Sequence, residues 1–378
     1  MEPLEESSGI IDADGNLFGV INIIDALVIV GFLTVLLAGV GLVFLSDNSG
    51  SAGSQPEAGT VNVTIDLGPQ PDYIVSQIEV GDKYSPGGNS NLTVRDVYFT
   101  PQGKSTRAVI RAELSAPFNR GTVQYGGKPP RYGRQLKVLS DTYATTGVIQ
   151  DVGGGAEFTT TQTEVLVKTN LSETEARQLR AGQSVRVENR EMATIESVTT
   201  YGTSNPDRKT VFVGLTLQTV AQNGNREFGD TTLRPGANLT LPTESVYLEG
   251  EIERVGATSQ RGERANRQVT LEMSGVSSTV AESVSPGMTE SYGETTVAEI
   301  TDVERESTTV ITRGENGTIY ERDHPTEQDM TLTATLSVRE TDTGVTFKGQ
   351  TLQQGRVITL DLGTVTIKAT VVSGINNG

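Results

Sequence analysis

Cysteine and tryptophan are absent from this chain, and histidine occurs once, as His324. Without thiols there are no disulfide staples, no thiolate nucleophile and no cysteine metal ligand. One imidazole in the polar stretch ERDHPTEQD does not make a zinc site, which needs several such ligands. Aromatic residues are only 5% of the sequence, so stacking platforms for sugars or bases are scarce. Lys and Arg (30) are outnumbered by Asp and Glu (47), and the net charge of −17 would repel nucleic-acid phosphates. No G-x-S-x-G elbow, P-loop or dinucleotide fingerprint occurs. The glycine-rich run DVGGGAEF at 151–158 lacks the lysine and the strand–helix setting of a phosphate cradle, and reads as a linker. Carboxylates are plentiful, but no spacing singles out a glycosidase pair. The mixed-charge segments RVENRE and VERE read as solvated strand ends. No catalytic, cofactor-binding or metal-binding residue emerges, so the expectation is a protein that is not an enzyme.

One absence is local. No Lys or Arg precedes Lys83, and residues 26–45, ALVIVGFLTVLLAGVGLVFL, carry no charge at all. At about 1.5 Å per residue such a run spans a hydrocarbon core of about 30 Å, and only a helix satisfies its own backbone there. We therefore expect a polar segment at 1–20, a transmembrane helix at 21–45 and a Gly/Ser-rich flexible linker at 46–60. Asp25 would stand at the helix entrance, where a carboxylate suits the positive end of the dipole. DADGN at 12–16 starts like a calcium loop but has Ile23 where the twelfth-position Glu belongs, so it reads as a surface turn. Both flanks of the apolar run are acidic, so the charge rule gives no orientation. Five N-x-S/T sequons, at Asn62, Asn91, Asn170, Asn238 and Asn316, are the candidate glycosylation sites and favour an exterior body. An acidic, Arg-over-Lys surface fits a halophilic setting.

Beyond the linker the sequence repeats. The segments 61–97, 163–198 and 268–303 each hold an alternating strand, a short turn, a glycine, a second strand and an Ile/Val-x-x-Val close. Their second halves again place a glycine before an alternating strand. The markers are Gly81, Gly133, Gly182, Gly236, Gly287 and Gly355, about fifty residues apart except across the last gap. There a polar insertion intervenes at about 304–328. The expected domains are 61–153, 163–256 and 267–378, each with two pseudo-symmetric halves. Period-two alternation and Val, Ile and Thr enrichment predict strands: Val165 and Val167 face one way, Glu164, Leu166 and Lys168 the other. Ser172 and Glu175 have capping-box spacing, which predicts a helix from Glu173 to about Leu179. The fold expected is mainly β: one transmembrane helix followed by three tandem small β-barrels, with β-sandwiches as the alternative.

Residues 12–25, DADGNLFGVINIID, resemble the opening of a family of uncharacterised membrane-anchored proteins that carry a domain of unknown function, DUF4330, from halophilic archaea and cyanobacteria. Asp12, Gly15, Leu17, Phe18, Gly19, Ile21, Asn22, Ile24 and Asp25 carry the likeness. It implies an envelope location and brings no activity or catalytic residue. The missing Lys or Arg after the DGN turn departs from that pattern. A shorter stretch, LRAGQSVRVENREMATIESV, is similar to bacterial lipid-transport barrels of the mammalian-cell-entry type, which form hexameric rings. The expected function is a single-pass, extracytoplasmic structural or interaction protein of the cell envelope. Its partners would be the bilayer and either further copies or other surface proteins, with no nucleic acid and no cofactor. A lipid or hydrophobic-ligand conduit is the alternative, and a carbohydrate-active enzyme the third reading.

Overall fold

The structure, a computed structural model, describes residues 16–17, 21–22, 58–119, 121–222, 224–292, 295–313 and 318–374. The chain divides into two compact units, 1–57 and 58–378. In the first, the strands Asn16–Leu17 and Ile21–Asn22 pair antiparallel, with Leu17 opposite Ile21. The apolar run 26–45 lies outside the described residues. Among the described residues no helix is long and apolar enough to cross a membrane.

The second unit holds three antiparallel sheets of the same design. In the first sheet the strands Ala58–Gln70, Lys83–Gly87, Ser90–Gln102, Ser105–Asn119, Gln135–Leu139 and Ala144–Val152 lie in the spatial order second, third, fourth, first, sixth, fifth. The second sheet repeats that order with Thr160–Ser172, Ser184–Val187, Arg190–Gly202, Arg208–Gln222, Asn238–Pro242 and Tyr247–Val255. The third does so with Glu263–Ser277, Thr289–Tyr292, Thr295–Arg313, Ile319–Thr341, Val357–Asp361 and Thr366–Ser373. Each sheet curls like a barrel. In the first, the Tyr143 hydroxyl donates to Asp82 across the closing edges at 2.8 Å. In the third, the Asp361 N–H donates to Glu290 at 3.1 Å. Curling hides the strand edges that Thr- and Val-rich sequences would otherwise expose.

The six marker glycines explain the repeat. Each donates its N–H to a buried strand residue: Gly81 to Val94, Gly133 to Ile149, Gly182 to Ile195, Gly236 to Ile252, Gly287 to Ile300 and Gly355 to Val371, at 2.7–2.8 Å. Each of those residues donates back to the residue after its glycine. All six glycines have positive φ, between 78° and 101°, where a Cβ is strained. Period two then buries Val63, Ile65 and Leu67 on one face of the opening strand.

A one-turn helix follows the first strand of every sheet: Asp72–Val75, Glu173–Ala176 and Ser278–Ser283. The capping box forms as the spacing predicts, with Glu175 N–H donating to Ser172 Oγ and Ser172 N–H donating to the Glu175 carboxylate. The helix stops at Ala176, short of the expected Leu179, because one turn is enough to bury Ala176 and bring Leu179 into the core. The described part of the polar insertion is regular structure. The third sheet's long hairpin runs on as a two-stranded ribbon, Thr309 opposite Asp323 and Arg313 opposite Ile319, with Ile311 and Ile319 exposed. His324 lies in that ribbon, 3.8 Å from Glu327.

The segment read as a linker has a structural task. Arg111, on the strand Ser105–Asn119, is buried, and the glycine-rich run closes over its guanidinium. Gly153 and Gly155 offer their carbonyls at 2.9 and 2.6 Å, and Thr64 its hydroxyl at 2.5 Å. A Cβ on Gly154 would stand 2.6 Å from Arg111 Nη2.

Buried tyrosines give the body an alkaline limit. Burial, then the neighbouring Tyr84, pushes Tyr125 from 10.0 up to about 12, and its hydroxyl has no hydrogen-bond partner. Burial likewise raises Tyr98, Tyr143 and Tyr292. A phenol whose folded pKa exceeds its unfolded one holds its proton longer in the native state. Its stabilisation is complete below pH 10 and is lost as pH rises through about 12. Phenolate absorbance and circular dichroism, followed together, should show a group of tyrosines ionising only as the fold melts in that window. Full ionisation near pH 10 with native dichroism would refute this.

Candidate functional site

The most unusual chemistry lies where one sheet meets the next. At the first junction, the Tyr98 hydroxyl donates to the Gln218 carbonyl at 2.7 Å, and its ring packs on Phe158 with centroids 6.0 Å apart. Arg190 donates to the Val97 carbonyl and lies over the Phe99 ring, although RVENRE reads as a solvent face. The Phe158 N–H donates to Asp96 at 2.9 Å, and Asp230 sits 3.9 Å from Arg107. Beneath these contacts one cluster of buried apolar side chains runs from Val63 in the first sheet to Ile252 in the second.

The second junction is ionic. Lys209, on Arg208–Gln222, is 3% exposed and donates to Asp361 of the third sheet at 2.6 Å. It also donates to the Pro206 carbonyl at 2.8 Å and lies over the Tyr292 ring. Glu290 is completely buried and accepts from Lys348 at 2.6 Å and from the Gly202 N–H of the second sheet at 2.8 Å. Tyr292 donates to Asp361 at 3.0 Å. Burial pulls the Lys348 ammonium below its usual range, with Glu290 opposing the shift. Burial works to raise the Asp361 carboxyl, but the hydrogen bonds from Lys209 and Tyr292 prevail and hold it low. Gly202 is required here, since a Cβ would stand 2.6 Å from Asp361 and 2.7 Å from the Tyr292 hydroxyl. Around this cluster Leu166, Tyr201 and Phe212 of the second sheet join the third sheet's core. Leu166 therefore does face away from Val165 and Val167, as alternation predicts, yet it is buried, because the next sheet covers that face.

Above the ion cluster the two sheets part to leave a groove of about 850 Å³, floored by Lys209, Asp361 and Tyr292 and rimmed by Arg177, Arg180 and Arg264. The sequons are not gathered at this site. Asn91, Asn170 and Asn238 are exposed on separate strands, Asn62 is half-buried with its amide donating to the Gly154 carbonyl at 3.0 Å, and Asn316 lies outside the described residues. Among the described residues no group of three or more His, Asp or Glu side chains could hold a metal ion.

A family model described as a domain of unknown function, DUF4330, matches residues 9–109 and 253–373, more than half of the chain. The chain belongs to this family. The two matched regions of the DUF4330 model take in the N-terminal strand pair and apolar run, most of the first sheet's opening strands, and all of the third sheet. The second sheet, with Arg177, Arg180 and Lys209, falls between them. No curated protein and no solved structure matches the chain.

Sequence reasoning did not find Lys209, Glu290, Lys348 or Asp361. In the sequence they are ordinary charges among many, each near a strand end. The available signal was the use of lysine at 209 and 348, in a chain that uses Arg heavily over Lys.

Proposed function

We propose that this DUF4330 protein is a membrane-anchored, single-pass spacer of the cell envelope, its three-sheet body held outside the membrane and presented to other copies or other surface proteins. The observation that supports this is the pair of buried junctions. One continuous apolar core ties the first sheet to the second, and the Lys209–Asp361 and Lys348–Glu290 pairs tie the second to the third. Inter-domain contacts within a chain are usually polar and mobile. Contacts this deeply buried fix one orientation, which a spacer needs and a set of independent binding modules does not. The packed interiors leave Val63, Ile65, Leu215 and Leu332 with no exposure, which favours a filled scaffold over an internal lipid path.

The lack of native cysteine makes the test clean. Spin labels on cysteines placed at the exposed positions Lys137 and Lys368 should give one narrow distance distribution, as expected of a rigid body. A broad distribution would defeat the spacer reading. Protease added to intact cells should degrade the body beyond residue 58, and full protection would defeat the exterior placement.

A further inference from the structure

We propose that the groove between the second and third sheets binds an anionic, hydroxyl-bearing ligand with the chemistry of an acidic sugar. The chain contains its own control, because the first junction is built on the same plan and holds the buried rings of Tyr98 and Phe99 at the corresponding places. Gly81 and Gly182 make the same hydrogen bonds, so Ser76 and Glu79 stand in the first sheet where Arg177 and Arg180 stand in the second. Val97 opposite Ile110 corresponds to Val198 opposite Val213. That register puts Tyr98, Phe99 and Thr106 in the places of Thr199, Thr200 and Lys209. The paired positions Val167 and Leu271, each beside its sheet's fourth and sixth strands, likewise match Thr160 to Arg264.

Two changes separate the junctions. The rings of Tyr98 and Phe99, which fill the first, are replaced by the small hydroxyl side chains of Thr199 and Thr200, which leave the second open. Ser76, Glu79, Thr106 and Thr160, none of them basic, are replaced by Arg177, Arg180, Lys209 and Arg264. The third sheet has Glu282, Ser285 and Gln328 at its counterparts of Arg177, Arg180 and Lys209, so the basic set is particular to this junction.

The charges do not cancel. Glu173 is taken by Arg177 and lies 3.7 Å from Lys209, and Asp361 is taken by Lys209. Arg180 and Arg264 have no ion-pair partner among the described residues, while the bodies of both line the groove. The surroundings of Arg264 add to the excess. Burial, joined by the like charges of Arg264 and Arg254, holds the Arg339 guanidinium below its usual range, with Tyr201 opposing the shift. A net positive groove in a chain of charge −17 runs against the whole surface. Guanidinium forks suit carboxylate or sulfate oxygens, and threonine hydroxyls both donate to and accept from sugar hydroxyls. The volume lies in the range of small-ligand sites.

Calorimetric titration of the full chain in low-salt buffer tests this, with a trimer of galacturonic acid as the probe. The trimer should bind and its neutral methyl ester should not. The double variant R180E/R264E alters two exposed side chains and should keep the native dichroism while weakening binding at least about tenfold. R95A, on the first sheet, should leave binding unchanged. No binding of the trimer, equal binding of the ester, or wild-type affinity in R180E/R264E would each overturn the proposal. Inorganic sulfate binding as tightly as the trimer would overturn the sugar assignment.

Discussion

Replacing Lys348 with methionine is expected to cost about 3–5 kcal/mol of stability, the loss typical of breaking a buried ion pair from one side. The reason lies with the partner. Glu290 has no exposure, and among the described residues Lys348 supplies the only positive charge that touches its carboxylate, at 2.6 Å. Without that ammonium the carboxylate keeps the N–H groups of Gly202 and Asp361, at 2.8 and 3.1 Å, which satisfy hydrogen bonds but not a full charge. Burial already draws the Lys348 pKa down, so the pair is itself expensive to desolvate. The double variant K348M/E290Q should therefore lose less than K348M alone. The charge has gone with the lysine, and the costs that remain are one backbone N–H facing an amide and the Gly202 and Thr359 carbonyls, to which Lys348 donates at 3.3 and 2.7 Å in the native chain. Urea unfolding monitored by far-ultraviolet dichroism measures both. If the double variant is as unstable as the single one, charge burial is not the cause.

Arg111→Met should cost about 3 kcal/mol, the scale of a buried charged donor set whose acceptors are left unpaired. The guanidinium serves Thr64 Oγ1 and the Gly153 and Gly155 carbonyls at once, and Asp151 lies 3.5 Å away. Besides Arg111, the run is fixed by the Gly153 N–H bond to the Asn62 carbonyl at 2.7 Å, the Asn62 amide bond to the Gly154 carbonyl at 3.0 Å and the Phe158 N–H bond to Asp96 at 2.9 Å. Lysine should not rescue the site, because three donors on one nitrogen cannot reproduce a planar fork. Hydrogen exchange read by mass spectrometry should show the 151–158 segment lose protection first. A loss below about 1 kcal/mol, the size of one ordinary hydrogen bond, would show the run to be held by other contacts.

Much of the sheet design was legible because it is local. Period two, the capping box and the glycine markers each depend on residues close in sequence, and Val165, Ser172 and Gly182 fall where that logic puts them. What covers an outward face is not local. Alternation places Leu166 opposite Val165, but only the third sheet's position makes Leu166 a core residue. The same holds for Arg190, which looks solvated until Val97 and Phe99 of the first sheet arrive. The groove was illegible for a related reason. Arg177, Arg180, Lys209 and Arg264 are spread over nearly ninety positions, and it takes the fold to bring them to one rim. The ribbon beyond Ser307 was visible as extra length, but its polar composition hid the regular pairing of Thr309 with Asp323 and Val310 with Arg322.

That ribbon separates inheritance from architecture. Its paired residues, Thr309 to Arg313 against Ile319 to Asp323, reach past the last position where the third sheet's opening strand accompanies the hairpin, Ser277 beside Glu327. Among the described residues no core side chain comes from it, so its length and composition can drift while the three packed bodies stay as they are.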